Sequence, residues 1–287
     1  MSAERRFRFA PSPTGPLHLG HAYSLGRNAQ LSHAHEGALF LRMDDLDQSR
    51  ARAIWADLIF EDIAWLGIPI APKVTWQSKR LDIYHKSLEK LWDMDLLYPC
   101  TCGRRDIEAA ANAPQEGAPL VGPDGVVYPG TCRSAPRPTQ MPSGVPLRLD
   151  MARAAVAVGT IEFFDHETRT DHAWNAHKLC HHIGDVVLLR RNLGASYHLT
   201  TVIDDAETGI TDVCRAVDLQ EATAVHIVLQ RLLNLPTPRY WHHAIIRDER
   251  GKRLAKRDDA RAISTYRAAG HSPAEIWAMV GLPLPSA

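Results

Sequence analysis

The densest chemical signal in this chain is the run Pro11-Ser12-Pro13-Thr14-Gly15-Pro16-Leu17-His18-Leu19-Gly20-His21. His18 and His21 are spaced to share one helix face. Gly20 removes a side chain between them, so a flat base or a ribose can approach the backbone. Two imidazoles at a phosphate can donate hydrogen bonds to oxygens that gain charge during phosphoryl or nucleotidyl transfer. Far along the chain, Arg250-Gly251-Lys252-Arg253-Leu254-Ala255-Lys256-Arg257 forms a basic, glycine-containing loop able to carry Lys256 onto a triphosphate. Arg8 precedes the proline loop and Asp44 closes an apolar run. A cation and an anion at neighbouring strand ends suit an amino acid zwitterion.

A second cluster is rich in sulfur. Five cysteines, an odd number in a chain too long to need disulfide staples, favour thiols or metal ligands over bridges. Cys100-Thr101-Cys102 is followed by Tyr128 and, in the same Pro/Gly-rich stretch, by Cys132. Cys-x-Cys is not the usual zinc-knuckle spacing, and three thiolates leave a tetrahedral site one ligand short. A metal and free thiols therefore fit these residues equally. Cys180 and Cys214, in apolar surroundings, read as buried thiols.

The elements that must position these groups alternate in type. Phe7–Phe9 reads as a strand, His18–His35 as a helix stopped by Gly37, and Ala38–Met43 as a second strand. Helices follow near Ile54–Leu66 and Leu81–Asp95. This is the pattern of an α/β protein with a parallel sheet, whose ligands bind in the crevice where strands give way to helix N-termini. Residues 113–146 break the rhythm with Pro and Gly and read as an insertion. Strands are expected at Val145–Asp150 and Thr160–Phe164. The alternation then resumes with strand Asp185–Arg190, helix Ser196–Asp205, strand Thr211–Arg215, helix Gln220–Leu233 and strand Tyr240–Ile246.

Composition narrows the class. Apolar residues make up 45% and charged residues 23% of 287, and 33 Lys and Arg balance 33 Asp and Glu. That excludes coating nucleic acid by bulk charge, but not a local basic face. Residues 231–270 hold ten Arg and Lys against four Asp and Glu. The charged, proline-broken start is no signal peptide and no apolar run suits a membrane span, so a cytoplasmic protein is expected, with no membrane partner.

Taken in order, Arg8-Phe9-Ala10-Pro11-Ser12-Pro13-Thr14-Gly15 and His18-Leu19-Gly20-His21 resemble the HIGH region of class I glutamyl-tRNA synthetases. Arg42-Met43-Asp44-Asp45-Leu46-Asp47 is similar to their Arg-Ile-Glu-Asp-x-Asp segment, and Arg253-Leu254-Ala255-Lys256-Arg257 sits where they carry the KMSKS loop. The chain is identified as a member of this family, and it resembles most the short branch that glutamylates queuosine in tRNA(Asp), because only 30 residues follow Arg257. The resemblance implies a Rossmann-like parallel sheet with an inserted zinc-containing subdomain and a short C-terminal helical segment. It divides the chain into the first half of the catalytic domain (1–97), the insertion (98–184), the second half (185–247), and the loop with short helices and no anticodon-binding domain (248–287).

The resemblance also implies roles. Arg8, Ala10, Ser12, Asp44, Tyr197 and Arg215 would bind L-glutamate; His18, Gly20, His21 and Lys256 would bind ATP; and His18, His21 and Lys256 would act in catalysis with Mg²⁺ assisting. Cys100, Cys102, Tyr128 and Cys132 would hold one structural Zn²⁺. The implied reaction is tRNA-independent activation of glutamate, then transfer to the queuosine base of tRNA(Asp) by a monomeric enzyme. A glutamyl-tRNA synthetase core charging the tRNA 3′ end, a small-molecule nucleotidyl transferase with the same HxGH loop, and an inactive tRNA-binding module are the alternatives. Three positions depart from the family pattern: Asp44 is a methylene shorter than the usual Glu, Ala255 replaces a serine, and Ala216-Val217 replaces a Gly-Ala pair.

Overall fold

A computed structural model describes residues 4–111, 120–246 and 261–283. The chain opens with β1 (Arg6–Phe9), α1 (Leu19–Ala34) and β2 (Ala38–Met43), followed by α2 (Ala53–Trp65) and β3 (Val74–Trp76). β1, β2 and β3 pair in parallel, with Phe7 opposite Leu39 and Leu41 opposite Val74. Such strands are covered on both faces, which explains why Phe7, Leu41 and Met43 are fully buried although their sequence shows no clean alternation.

The middle of the chain runs through α3 (Leu81–Asp93), β4 (Leu97–Pro99), α4 (Arg104–Ala111), the hairpin β5 (Val121–Gly122) and β6 (Gly125–Val126), β7 (Leu147–Leu149), α5 (Met151–Val158), β8 (Ile161–Asp165), β9 (Thr170–Trp174), α6 (Ala176–Lys178) and β10 (Val187–Leu189). The final third holds α7 (Tyr197–Glu207), β11 (Asp212–Ala216), α8 (Gln220–Leu233), β12 (Arg239–His243), α9 (Ile263–Ala268) and α10 (Pro273–Met279).

Strand pairing differs from the sequence expectation in two places. Val187–Leu189 does not reopen the parallel sheet. It pairs antiparallel with β7, which pairs antiparallel with β4, giving a separate small sheet beside the insertion. A three-residue apolar strand carries no directional signal, so its partner is set by tertiary packing. Conversely, β8 joins the second half of the main sheet, in the order β11-β12-β8-β9, with Tyr240 opposite Asp165.

The two halves of the main sheet meet at β1 and β11, where the Thr211 N–H donates to the Arg6 carbonyl at 3.0 Å. Arg5 Nε donates to Asp212 at 2.9 Å across the same seam. α1 covers it: Asn28 Nδ2 donates to the Cys214 carbonyl at 3.2 Å. On its other side α1 takes α10 at very close range. A Cβ at Gly26 would lie 2.7 Å from Trp277 Cζ3, so glycine is needed for that approach. Among the described residues no helix is long and apolar enough to cross a membrane.

Candidate active site

At the carboxyl ends of β1, β2 and β11 lies a cavity of about 510 Å³. Its wall includes Arg8, Ala10, Ser12, His18, Gly20, His21, Asp44, Tyr197 and Arg215. The structure thus brings together every site residue proposed for glutamate and ATP except Lys256, which lies outside the described residues. This is the crevice that a parallel sheet leaves beyond its strand ends.

α1 begins without Ser, Thr, Asp or Asn, and the two histidines supply its cap. Gly20 N–H donates to His18 Nδ1 at 3.1 Å, and His18 N–H donates to His21 Nδ1 at 3.2 Å. Both Nδ1 atoms are therefore acceptors, so each neutral ring carries its proton on Nε2. The rings lie 3.8 Å apart between centroids. The same pair satisfies orphan backbone donors and presents ring N–H groups as hydrogen-bond donors.

One wall of the cavity is a buried charge network. Arg8 Nε donates to both oxygens of Asp205 at 3.1 and 3.3 Å, and Arg42 Nη1 donates to Asp205 at 2.6 Å. Arg42 Nε also holds Asp44 at 2.7 Å. Next along α7, Asp204 accepts from Arg80 Nε at 2.7 Å, from Gln77 at 2.9 Å and from the Tyr84 hydroxyl at 2.9 Å. Three arginines thereby face three aspartates, and Arg8, Arg42, Asp204 and Asp205 are buried, which is tolerable only with such direct pairing. Burial raises the Asp44 carboxyl above the ordinary range, and Arg42 withdraws only part of that rise.

The opposite wall is different. Arg215 is 5% exposed, yet no carboxylate among the described residues lies within salt-bridge distance of it. Its Nη1 donates to the Tyr197 hydroxyl at 3.2 Å and to His226 Nδ1 at 3.1 Å, and its Nη2 donates to Thr223 Oγ1 at 2.6 Å. Burial, and then the Arg215 charge, hold His226 well below the usual imidazole range, so it stays neutral. Behind Thr223, His242 Nε2 lies 2.9 Å from Oγ1, and His242 Nδ1 lies 3.1 Å from Asp165. His242 is likewise lowered, to about 4, by burial and Arg215.

The sulfur cluster forms a second site away from this cavity. Cys100, Cys102 and Cys132 place their Sγ atoms within 4.8 Å of one another. The Tyr128 hydroxyl sits 3.4 Å from both Cys100 Sγ and Cys102 Sγ. A tetrahedral zinc with Zn–S bonds near 2.3 Å separates its sulfurs by about 3.8 Å, so the donor set fits the metal. Burial alone would raise the Cys132 thiol, but hydrogen bonding led by Tyr128 outweighs it and brings the group down to about 6. Arg148 donates to Cys100 Sγ at 3.2 Å and lies 3.9 Å over the Tyr128 ring, a cation suited to offset three thiolates on one divalent ion. Of the other cysteines, Cys214 is buried and its thiol is pushed up to about 12 by burial, while Cys180 is only half-buried, against the sequence expectation.

The insertion also touches the active-site helix. His198, next to Tyr197, bonds Asp124 in the β5–β6 turn at 3.2 Å. Sequence reasoning gave no role to Arg42, Asp204, Asp205, Thr223, His226, His242 or Asp165. One signal was available: Asp204-Asp205 directly follows the apolar pair Val202-Ile203 in one helix, where a charge pair must find partners.

Comparison with known proteins agrees with this geometry. The profile of class I tRNA synthetases (E and Q), catalytic domain, matches residues 4–283. The chain belongs to this family. A glutamyl-Q tRNA(Asp) synthetase of Rhodobacter capsulatus is 51% identical over 280 residues, covering 96% of this chain and 99% of that protein. Its namesake in Deinococcus radiodurans is 38% identical over 97% of this chain and 88% of its own length. Within the family the chain belongs with the branch these relatives represent. The fold is that of the glutamate-tRNA synthetase of Elizabethkingia anophelis, with a TM-score of 0.76 at 24% identity. The match covers 96% of this chain and 61% of that one, so this chain spans about three fifths of the solved relative.

Proposed function

We propose that this chain activates L-glutamate with ATP, without a tRNA, and transfers the glutamate to the queuosine base of tRNA(Asp). One observation carries the reading: Arg215 is a buried cation whose protein partners are all neutral, in a cavity shared with the paired imidazoles of His18 and His21. A buried guanidinium without a carboxylate is costly until an anionic ligand supplies one. An arginine there distinguishes a carboxylate from a carboxamide, hence glutamate from glutamine. Arg8 and Asp44, held by Asp205 and Arg42, would complete the zwitterion site with Ala10, Ser12 and Tyr197.

In the first step the glutamate α-carboxylate attacks the α-phosphorus of ATP, forming glutamyl-adenylate and releasing pyrophosphate. The protein supplies no nucleophile. It positions the reactants, and the Nε2–H groups of His18 and His21 donate to phosphate oxygens as charge builds on them, with Lys256 and Mg²⁺ assisting. In the second step a hydroxyl of the queuosine cyclopentene ring attacks the activated carbonyl and AMP leaves. Cys100, Cys102, Tyr128 and Cys132 would hold a zinc whose role is structural, fastening a segment with little core of its own.

ATP–pyrophosphate exchange with and without tRNA tests the first step. Glutamate-dependent exchange without tRNA is expected; strict dependence on tRNA would instead favour an enzyme charging the tRNA 3′ end. Glutamylation of tRNA(Asp) should require queuosine and survive periodate oxidation of the 3′ end when the base is protected. Equal acceptance by queuosine-free tRNA would refute the transfer step.

A further inference from the structure

A guanidinium has five N–H donors. In Arg215 three are engaged: both on Nη1, by Tyr197 and His226, and one on Nη2, by Thr223. Two remain, Nε–H and the second Nη2–H. Nε is buried and has no hydrogen-bond partner among the described residues. The guanidinium of Arg215 lines the cavity with no protein carboxylate to balance it, so its orientation there is set by these three neutral partners.

Thr223 is itself held in one orientation. Its oxygen accepts from Arg215, so its single proton is available for His242 Nε2 at 2.9 Å. A neutral His242 that accepts there must carry its proton on Nδ1, which faces Asp165 Oδ2 at 3.1 Å. Burial alone would raise the Asp165 carboxyl, but hydrogen bonding led by the His242 backbone outweighs it and holds the group below the ordinary range. It also accepts from Gln220 at 3.0 Å, which fixes the end of the chain. Thr223, His242 and Asp165 are all buried, so no water competes for these bonds.

We infer that Thr223, ordered from behind by His242 and Asp165, is a positioning residue that fixes the orientation of the Arg215 guanidinium in the cavity wall for the substrate carboxylate. This rests on the proposed glutamate activation and adds the device that makes Arg215 selective. Thr223 touches no substrate; it acts through Arg215.

The test is glutamate-dependent ATP–pyrophosphate exchange by the full chain carrying Thr223→Val, which keeps the shape and removes the hydroxyl, compared with Thr223→Ser, which keeps the hydroxyl. The valine variant should raise KM for glutamate about tenfold with kcat within about twofold, as expected for one misplaced charge-assisted hydrogen bond. It should also lose selectivity against glutamine, measured as the ratio of kcat/KM values. The serine variant should restore both. Thermal unfolding of the two variants confirms that they are compared as folded proteins; should the valine variant not fold, Thr223→Ala takes its place. A KM within twofold of wild type in the hydroxyl-free variant, or equal losses in the serine and hydroxyl-free variants, overturns the inference while leaving glutamate activation standing. Absence of glutamate-dependent exchange in the wild-type chain overturns the activation reading itself.

Discussion

Replacing Asp205 by asparagine should destabilise the protein more than its position on a catalytic wall suggests. Arg8 and Arg42 both bond Asp205, and the side chains of all three are no more than 6% exposed. Three cations face three anions here, Arg80 and Asp44 half-buried and the other four buried, and a neutral amide in place of the Asp205 carboxylate leaves that set one positive charge in excess. Breaking a buried pair by removing one partner costs about 3–5 kcal/mol, because the stranded charge stays desolvated. At about 2.1 cal/mol/K of unfolding entropy per residue, a chain of 287 residues should lose about 5–8 °C in Tm. The assay is thermal unfolding of Asp205→Asn, Arg8→Met and the double variant. In the double variant one excess cation is gone, so the loss should fall short of the summed single losses by about 1.5 kcal/mol or more. A Tm change under about 2 °C for Asp205→Asn, or strict additivity in the cycle, would show that the network is not the closed charge set described.

Three further outcomes are expected. Asp62 is fully buried on α2 with neither oxygen hydrogen-bonded among the described residues, and burial raises its carboxyl to about 6 despite Arg267 nearby. The unfolded group ionises first as pH rises, so this group removes stability between about pH 4 and pH 6, by about 3 kcal/mol at 1.36 kcal/mol per pH unit. The stability difference between Asp62→Asn and the parent should therefore grow in the variant's favour by about that amount between pH 4 and pH 8, as read from denaturant titrations; a pH-independent difference contradicts it. Arg215→Lys keeps the charge but not the planar edge, and should lower kcat/KM for glutamate by about 10- to 100-fold in pyrophosphate exchange, with a change under threefold counting against the carboxylate assignment. Elemental analysis should find one zinc per chain, absent after Cys102→Ser, with Tm lowered in the stripped protein; a metal-free protein of unchanged Tm would refute the metal centre.

The local elements were largely readable because their signals are local. Helix Gln220–Leu233 was expected from its apolar spacing and has those bounds. Strand Ala38–Met43 was likewise read from an apolar run ended by a charge. Pairing was not readable: Val187–Leu189 and Leu147–Leu149 are both only three residues long, and only the fold decides that they run antiparallel to each other. The candidate site divides in the same way. The residues lining the cavity sit in contiguous motifs at strand ends, whereas their supports come from elsewhere. Thr223, His242 and Asp165 look like ordinary core or strand residues, and their function arises only because β8, α8 and β12 place them in line behind Arg215.

The seam between β1 and β11 has a consequence for synthesis on the ribosome. Arg5, Arg8 and Arg42 emerge early, but Asp212 and Asp205, their buried partners, are made more than 160 residues after Arg42. At about 5–20 residues per second that delay is on the order of ten seconds or more. During it the first half of the sheet can assemble β1, β2 and β3, but it cannot close its open edge or dehydrate its arginines. The nascent half-domain stays hydrated and charged along its unpaired edge, which discourages strand-to-strand association with neighbouring chains until its own second half arrives.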